Sequence, residues 1–553
     1  MKSYKVHSAY HASSNSILEV FRLSQFVDIY KYSLDKAWIN PGGWQSWNPA
    51  YEIAPGKKQA SLTCHLIKDW NQYLVFPESN FSPSKNLVLT QFITYLRWDD
   101  FYLVFASVGN VNKTLPPVQF IFNRKTGTIT LEICDKGNDW KENDIMAEIE
   151  IFTASSYFEC REKLSEIYGN NHFEKIKALG KNPAGWESWY NHYADINEKL
   201  ILDDLASLNK TENVITLGNY SSKIFQIDDG WESALGEWTV RKDRFPQGLS
   251  PLASKIESQG YIPGLWIAPF IIDSRCKTAS EHPDWLLRDE KGNLVGAGYN
   301  PLWGQKGTFY CLDLSIDEVI SYLNNLMNTI INDWGFRYIK LDFLYAGMLY
   351  GNHKNQTASY KMYCRALNTI TSRQKTNDGK DVFYLGCGVP FELSFKYLPL
   401  SRIGCDTQEH WKNKMLRLIN WNGRNEAYLN VKDTLGHAMW NNIIFANDPD
   451  VIFVRNENCT LTKKQKILIA FIDQLFGSQL MYSDDPEKSS SEEEVKLAKE
   501  IVEFQKKYCD EEFGLKNISE DKYKIFSKSG KYTGEIDLAN MGNKDHTLII
   551  NGE

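Results

Sequence analysis

Two carboxylates and the cations beside them are the first residues to suggest chemistry. Asp342 closes the run Tyr338-Ile339-Lys340-Leu341-Asp342, and Asp406 closes Ser401-Arg402-Ile403-Gly404-Cys405-Asp406. Lys340 and Asp342 are two apart, so on a strand both point to one face. A buried Lys–Asp pair would keep the carboxylate ionised and its pKa low, as a nucleophile requires. Arg402 and Asp406, four apart, would share a face in the same way. Such a pair of acids suits glycosidic bond cleavage, in which one attacks the anomeric carbon and the other protonates the leaving oxygen and then activates water. The acid needs a raised pKa, which an enclosed site beside other carboxylates supplies. A third run, Phe225-Gln226-Ile227-Asp228-Asp229-Gly230-Trp231, places two adjacent carboxylates where they could accept hydrogen bonds from two sugar hydroxyls. Each run also has a plainer reading, as a structural ion pair, a loop aspartate or a turn. The aromatic residues have two readings as well. Trp189, Tyr190, Trp266 and Trp411 could fill a core, or could offer flat faces to the C–H side of a sugar ring.

These residues need elements that bring them together. From Asn182-Pro183 onward, short apolar runs alternate with helix-length amphipathic segments, the βαβ signature. Eight strands are expected at 185–190, 224–228, 261–268, 338–343, 382–387, 402–406, 443–446 and 480–483. Helices are expected between them, for example at 316–334, 357–373 and 462–474, the last with Thr462 as N-cap. Eight such units over about 300 residues predict a (β/α)8 TIM barrel, whose chemistry sits at the C-terminal strand ends. Ahead of it, residues 1–168 alternate in short runs such as 87–95, 101–108, 118–122 and 128–133, a β-sandwich pattern. The barrel is expected over 175–508, closed by a charged helix at 492–507. A small β-domain is expected over 509–553, with strands at 523–526, 532–537 and 546–550.

Composition narrows the partners. The chain has 553 residues, 69 acidic against 62 basic, for a net charge of −7. No block of like charge dominates, so neither nucleic acid nor an anionic membrane is an expected partner. No apolar run is long enough to span a bilayer, and residues 1–21 lack the apolar core of a signal peptide. The ten cysteines are scattered without zinc spacing. A reducing, cytoplasmic setting without metal or cofactor is expected. Gly386-Cys387-Gly388 lacks the third glycine and the helix context of a dinucleotide site.

At this point the motifs resemble glycoside hydrolase family 36, most closely its compact bacterial α-galactosidases. The matching runs are Gly43-Trp44-Gln45-Ser46-Trp47, Gly185 to Tyr190, Phe225 to Asp229, Gly264 to Phe270, His282 to Trp285, Lys340 to Gly347, Gly386 to Gly388, Arg402 to Trp411 and Asn447-Asp448-Pro449-Asp450. They follow the family's order across nearly the whole chain. The resemblance implies hydrolysis of terminal, non-reducing α-galactosides of melibiose or raffinose type, by double displacement with retention and without metal. It carries the nucleophile onto Asp342 and the acid/base onto Asp406. It implies that Asp228 and Asp229 bind the 4- and 6-hydroxyls of galactose, and that Lys340, Cys387 and Arg402 contact sugar hydroxyls or the nucleophile. Trp189, Tyr190 and Trp266 would form the walls, and Trp47 would reach in from the sandwich. The chain departs from the pattern at Cys405, at Gln408-Glu409-His410, at Glu187 and at Gly230-Trp231, changes that bear on the leaving-group side. The competing readings are an α-N-acetylgalactosaminidase and a galactoside-binding protein without catalysis. The 387–391 and 404–411 loops would form the wall beside the 2-substituent. No motif speaks to oligomeric state.

Overall fold

The computed structural model describes residues 2–7, 17–60, 84–133, 143–169, 179–300, 307–412, 425–539 and 548–552. Two antiparallel sheets face each other at the N-terminal end. One orders its strands Lys2–His7, Ile145–Ala154, Phe101–Ser107, Ile93–Trp98, Trp38–Asn40, and the other Ile17–Arg22, Thr128–Ile133, Val118–Asn123, Leu87–Gln91. Alternation writes the inner faces: along Thr128–Ile133 every second residue is buried. Phe105 from one sheet meets Phe120 and Phe122 from the other, with ring centroids 5.6 and 5.7 Å apart. The single run expected at 87–95 is two strands. Phe92, with φ 60°, breaks it, and the halves join different sheets.

The middle of the chain is the expected barrel. Its parallel strands are Ala184–Glu187, Lys223–Ile227, Ile262–Ile267, Tyr338–Leu341, Phe383–Gly386, Leu400–Arg402, then Ala446–Asp448 with Val451–Ile452, and Leu480–Tyr482. The seventh strand differs from the expected 443–446. It starts later, and Pro449 and Asp450 (φ 90°) interrupt it. Its first piece pairs with the sixth strand and its second with the eighth, so this one kinked segment closes the ring. Proline cannot donate to a ladder, so the break falls there. The sixth strand is also shorter than expected and ends at Arg402, which leaves Asp406 on the loop beyond it.

Helices pack outside, among them Glu198–Lys210, Leu249–Ser258, Asp317–Asn328, Ser359–Ile370, Ala427–Gly436, Lys463–Phe476 and Glu492–Tyr508. Thr462 caps its helix as expected, accepting from Gln465 N while the Gln465 side chain accepts from Thr462 N. No described helix is long and apolar enough to cross a membrane. A three-stranded sheet, Ile271–Ile272, Thr308–Cys311 and Gly296–Tyr299, sits between the third and fourth barrel strands and was not expected. A four-stranded meander ends the chain: Phe513–Ser519, Lys522–Ser527, Tyr532–Asp537 and Leu548–Gly552. Its first strand adds to the three expected; His546, expected in the last, lies outside the described residues.

The sandwich docks on the rim of the barrel through the 40–51 loop. Val389 N donates to Ser46 Oγ (3.0 Å), Phe391 N to Trp44 O (2.9 Å) and Ala50 N to Asp433 Oδ1 (2.9 Å). These bonds carry Trp47 over the strand ends.

Candidate active site

A cavity of about 440 Å³ opens at the C-terminal ends of the barrel strands. Ten of the eleven residues expected to form a site line it: Trp47, Trp189, Tyr190, Asp228, Asp229, Trp266, Lys340, Asp342, Arg402 and Asp406. Cys387 does not. It is buried just past the fifth strand, its N–H donating to Leu341 O (2.8 Å).

Asp342 follows the last residue of the fourth strand, and Phe343 then turns the chain at φ 52°, ψ 34°. Its Oδ2 accepts from Trp266 Nε1 (3.0 Å) and its Oδ1 from Phe343 N (2.7 Å). The expected Lys340–Asp342 pair is not a contact. Lys340 Nζ instead pairs with Asp228 Oδ2 (2.8 Å) and Glu187 Oε2 (3.4 Å). Burial pushes Asp342 above the usual carboxylate range, and the Lys340 charge offsets only part of that. Expectation and structure differ because the second and first strands bring two closer carboxylates to the ammonium.

Asp406 is held differently. Arg402 reaches it at 3.4 Å through Nη1, but spends its closer contacts on Asp448 (Nε, 2.8 Å) and Asp450 (Nη2, 2.9 Å). Enclosure first and the Asp450 charge second push Asp406 up to about 7, against the pull of Arg402. Asp448, buried against Arg402, stays below the ordinary range. Asp450 also accepts from Tyr190 Oη (2.5 Å) and Thr407 N (2.9 Å), tying the first and sixth strands to the kink in the seventh. The cavity thus holds an acid bound by two neutral donors and another poised to carry a proton near neutrality.

Around Asp228, Gln226 Nε2 donates to Asp228 Oδ2 (2.8 Å) and to Glu187 Oε2 (3.0 Å). Asp229 is buried beside Glu232, whose own carboxyl is raised by burial and by the Asp229 charge. Trp47 packs edge-on against Phe343 and Tyr345, both with ring centroids 5.5 Å away.

With this geometry in view, comparison with known proteins is direct. Residues 165–387 match the Melibiase family. They belong to it. Curated relatives of that family's kind include the probable alpha-galactosidase C of Aspergillus flavus, 29% identical over 235 residues, which are 39% of this chain and 28% of the relative. The alpha-galactosidase Mel36A of Lactobacillus acidophilus is 31% identical over 170 residues, 29% of this chain and 20% of that protein. The matched stretches therefore span under a third of these relatives' length. The solved TtGalA alpha-galactosidase of Thermus thermophilus, in complex with p-nitrophenyl alpha-D-galactopyranoside, shares the fold at TM-score 0.69 and 23% identity, over 92% of this chain and 91% of that one. The Lactobacillus brevis alpha-galactosidase shares it at TM-score 0.62 and 15% identity, over 99% of this chain and 69% of that one. The chain whose motifs resemble glycoside hydrolase family 36 is thus similar, over part or most of its length, to proteins named as alpha-galactosidases.

Several cavity residues were not anticipated. Behind that lining, Gln226, which donates to Asp228, was legible: it stands two before Asp228, so the rule that paired Lys340 with Asp342 applies to it equally. Gly298, Tyr299 and Phe309 come from the inserted sheet, Asn300 from just past it and Asn425 from just before the helix Ala427–Gly436, and all five line the cavity. Nothing in their spacing pointed to a site.

Proposed function

We propose that this chain is a retaining exo-α-galactosidase, an O-glycosyl hydrolase acting on terminal α-D-galactosides by double displacement. What carries the reading is that Asp342 and Asp406, from the fourth and sixth strand ends, line one cavity with different protonation tendencies. Asp342, ionised, attacks the anomeric carbon while Asp406 gives its proton to the leaving oxygen. The covalent galactosyl ester is then opened by water that Asp406, now a base, deprotonates. Trp266 and the Phe343 N–H fix the attacking carboxylate. Asp228 and Asp229 are assigned to the 4- and 6-hydroxyls, where an unpaired buried carboxylate would penalise the epimer lacking an axial O4. Lys340 holds Asp228 and Arg402 reaches Asp406, Trp47, Trp189 and Tyr190 wall the ring, and Cys387 backs the wall from behind. The substrates are small α-galactosides of melibiose or raffinose type. The three regions 1–168, 175–508 and 509–553 act as sandwich, catalytic barrel and terminal β-domain. A reducing, cytoplasmic setting is part of the proposal, supported by eight free cysteines among the described residues, six of them buried; Cys64 and Cys134 lie outside those residues.

The test is Asp342→Gly. Turnover of p-nitrophenyl α-galactoside should fall by well over 100-fold, about the least that loss of a covalent nucleophile costs. Azide or formate should restore part of it, giving the β-adduct. A smaller loss, or an α-adduct, overturns the assignment. Running the N-acetyl analogue beside it separates this reading from an α-N-acetylgalactosaminidase.

A further inference from the structure

Next to the candidate active site lies a second cavity of about 310 Å³, and Tyr190 and Tyr193 line both. Its far walls are polar: His192, Glu409, Arg455, Asn458, Asp485 and Lys488. The Gln408-Glu409-His410 run, where the sequence departs from its family's pattern, spans the two spaces. Gln408 lines the first and Glu409 the second. Glu409 is anchored through one oxygen only. Its Oε1 accepts from Arg455 Nη2 (2.7 Å) and Tyr193 Oη (3.1 Å), and its backbone O accepts from Thr460 N (2.8 Å). Among the described residues Oε2 is left without a bond. Tyr193 in turn holds a rare backbone conformation, φ 50° and ψ −141°, with its ring edge-on to Trp189 at 5.3 Å. Backbone strain at a non-glycine residue persists only where its surroundings enforce it.

The chemistry proposed above fixes which side faces this space. A leaving oxygen must lie within hydrogen-bond reach of Asp406, and the loop that carries Asp406 goes on to place Gln408 on the first cavity and Glu409 on the second. We propose that the second cavity is a subsite for a hydroxyl-rich leaving group, a further sugar unit of an oligosaccharide α-galactoside, with Glu409 as its specificity-determining acceptor. This rests on the α-galactosidase reading. An aryl leaving group, flat and without hydroxyls, gains nothing from Oε2, whereas a sugar hydroxyl donates to it in a charge-assisted bond. Lys488, 65% exposed and paired with Asp485 Oδ2 (3.1 Å), lines the same cavity and offers a further donor.

The experiment measures kcat/KM on raffinose and on p-nitrophenyl α-galactoside for wild type, Glu409→Gln, Glu409→Ala and Lys488→Ala. The raffinose-to-nitrophenyl ratio should fall about 10-fold in Glu409→Ala, the factor expected for one hydrogen bond to a charged group, chiefly through KM. It should fall less in Glu409→Gln and in Lys488→Ala. Lys488 is exposed, so its variant reads the subsite even if Glu409→Ala fails to fold. A ratio that stays at the wild-type value in every folded variant overturns the subsite while leaving the α-galactosidase reading intact. Wild type that turns over neither substrate overturns both.

Discussion

Arg402 divides its guanidinium among three carboxylates, and the division decides how the site titrates. Asp448 and Asp450 take the contacts at 2.8 and 2.9 Å, and Asp406 receives the one at 3.4 Å. Enclosure and the Asp450 charge, only partly opposed by this long contact, leave Asp406 close to neutral pH, where a group proposed to give and take a proton works best. As the proposed acid, it would act when protonated, so kcat/KM on melibiose should fall as pH rises through about 7. Asp342, as the proposed nucleophile, would have to be ionised, so the acidic limb should lie above the ordinary aspartate range. Asp450→Asn removes a charge that raises Asp406 and frees Arg402 to bind it more closely. Both effects lower its pKa, so the alkaline limb should move to lower pH; an unmoved or rising limb would show that Asp450 does not set it. Asp406→Ala should spare p-nitrophenyl α-galactoside, whose leaving group needs little protonation, and should cripple melibiose hydrolysis. Equal losses on the two substrates would exclude the acid role.

At the scale of elements, the short helix Phe391–Ser394 joins barrel to sandwich. Glu392 on it is buried, and its Oε1 accepts from Ser107 Oγ (2.5 Å) and its Oε2 from Val118 N (2.9 Å), in two strands of opposite sheets. Burial pushes this carboxyl up to about 7. Between the unfolded value near 4.3 and that pH, the folded chain keeps a proton the unfolded chain has lost. Its contribution is therefore complete at low pH and is lost as pH rises toward 7. Glu392→Gln keeps the acceptor and removes the titration, so its melting temperature should gain on wild type between pH 5 and 8. Glu392→Leu strands both donors and should cost about 1–3 kcal/mol, read as a lower midpoint in denaturant. A Gln variant whose melting temperature tracks wild type at every pH would contradict this account.

Across the whole molecule, Arg97 ties the sandwich to the terminal meander. Its Nε and Nη2 pair with Glu52 at 2.7 and 2.5 Å, and Nη2 also donates to Asn517 O at 3.1 Å. Both side chains are almost fully buried, at 2% and 5% exposure. Arg97→Met leaves Glu52 as an unpaired buried charge and should cost about 3–5 kcal/mol. Adding Glu52→Met should recover much of it, because two apolar groups replace a pair whose desolvation was already expensive. A double variant no more stable than the single one, by thermal melting, would mean the loss comes from packing. The same long-range logic places Trp47, carried on a loop of the sandwich, on the wall of the cavity.

Alternation of apolar residues and the few polar groups that interrupt it were legible in the chain alone. They are local properties: a period of two marks a strand, a period of 3.6 a helix, and a charged residue at an apolar strand's end is costly unless used. That much placed the barrel, the sandwich, Asp342, Asp406 and the Asp228–Asp229 run. The tertiary structure decided the partners. Lys340 chose Asp228 and Glu187 over its neighbour Asp342, and the seventh strand slid past 443–446 to kink at Pro449. The inserted sheet brought Tyr299 and Phe309 to the cavity that Trp266, more than thirty residues earlier, also lines. Distances across a closed barrel depend on which strands end beside one another, and spacing along the chain does not carry that information.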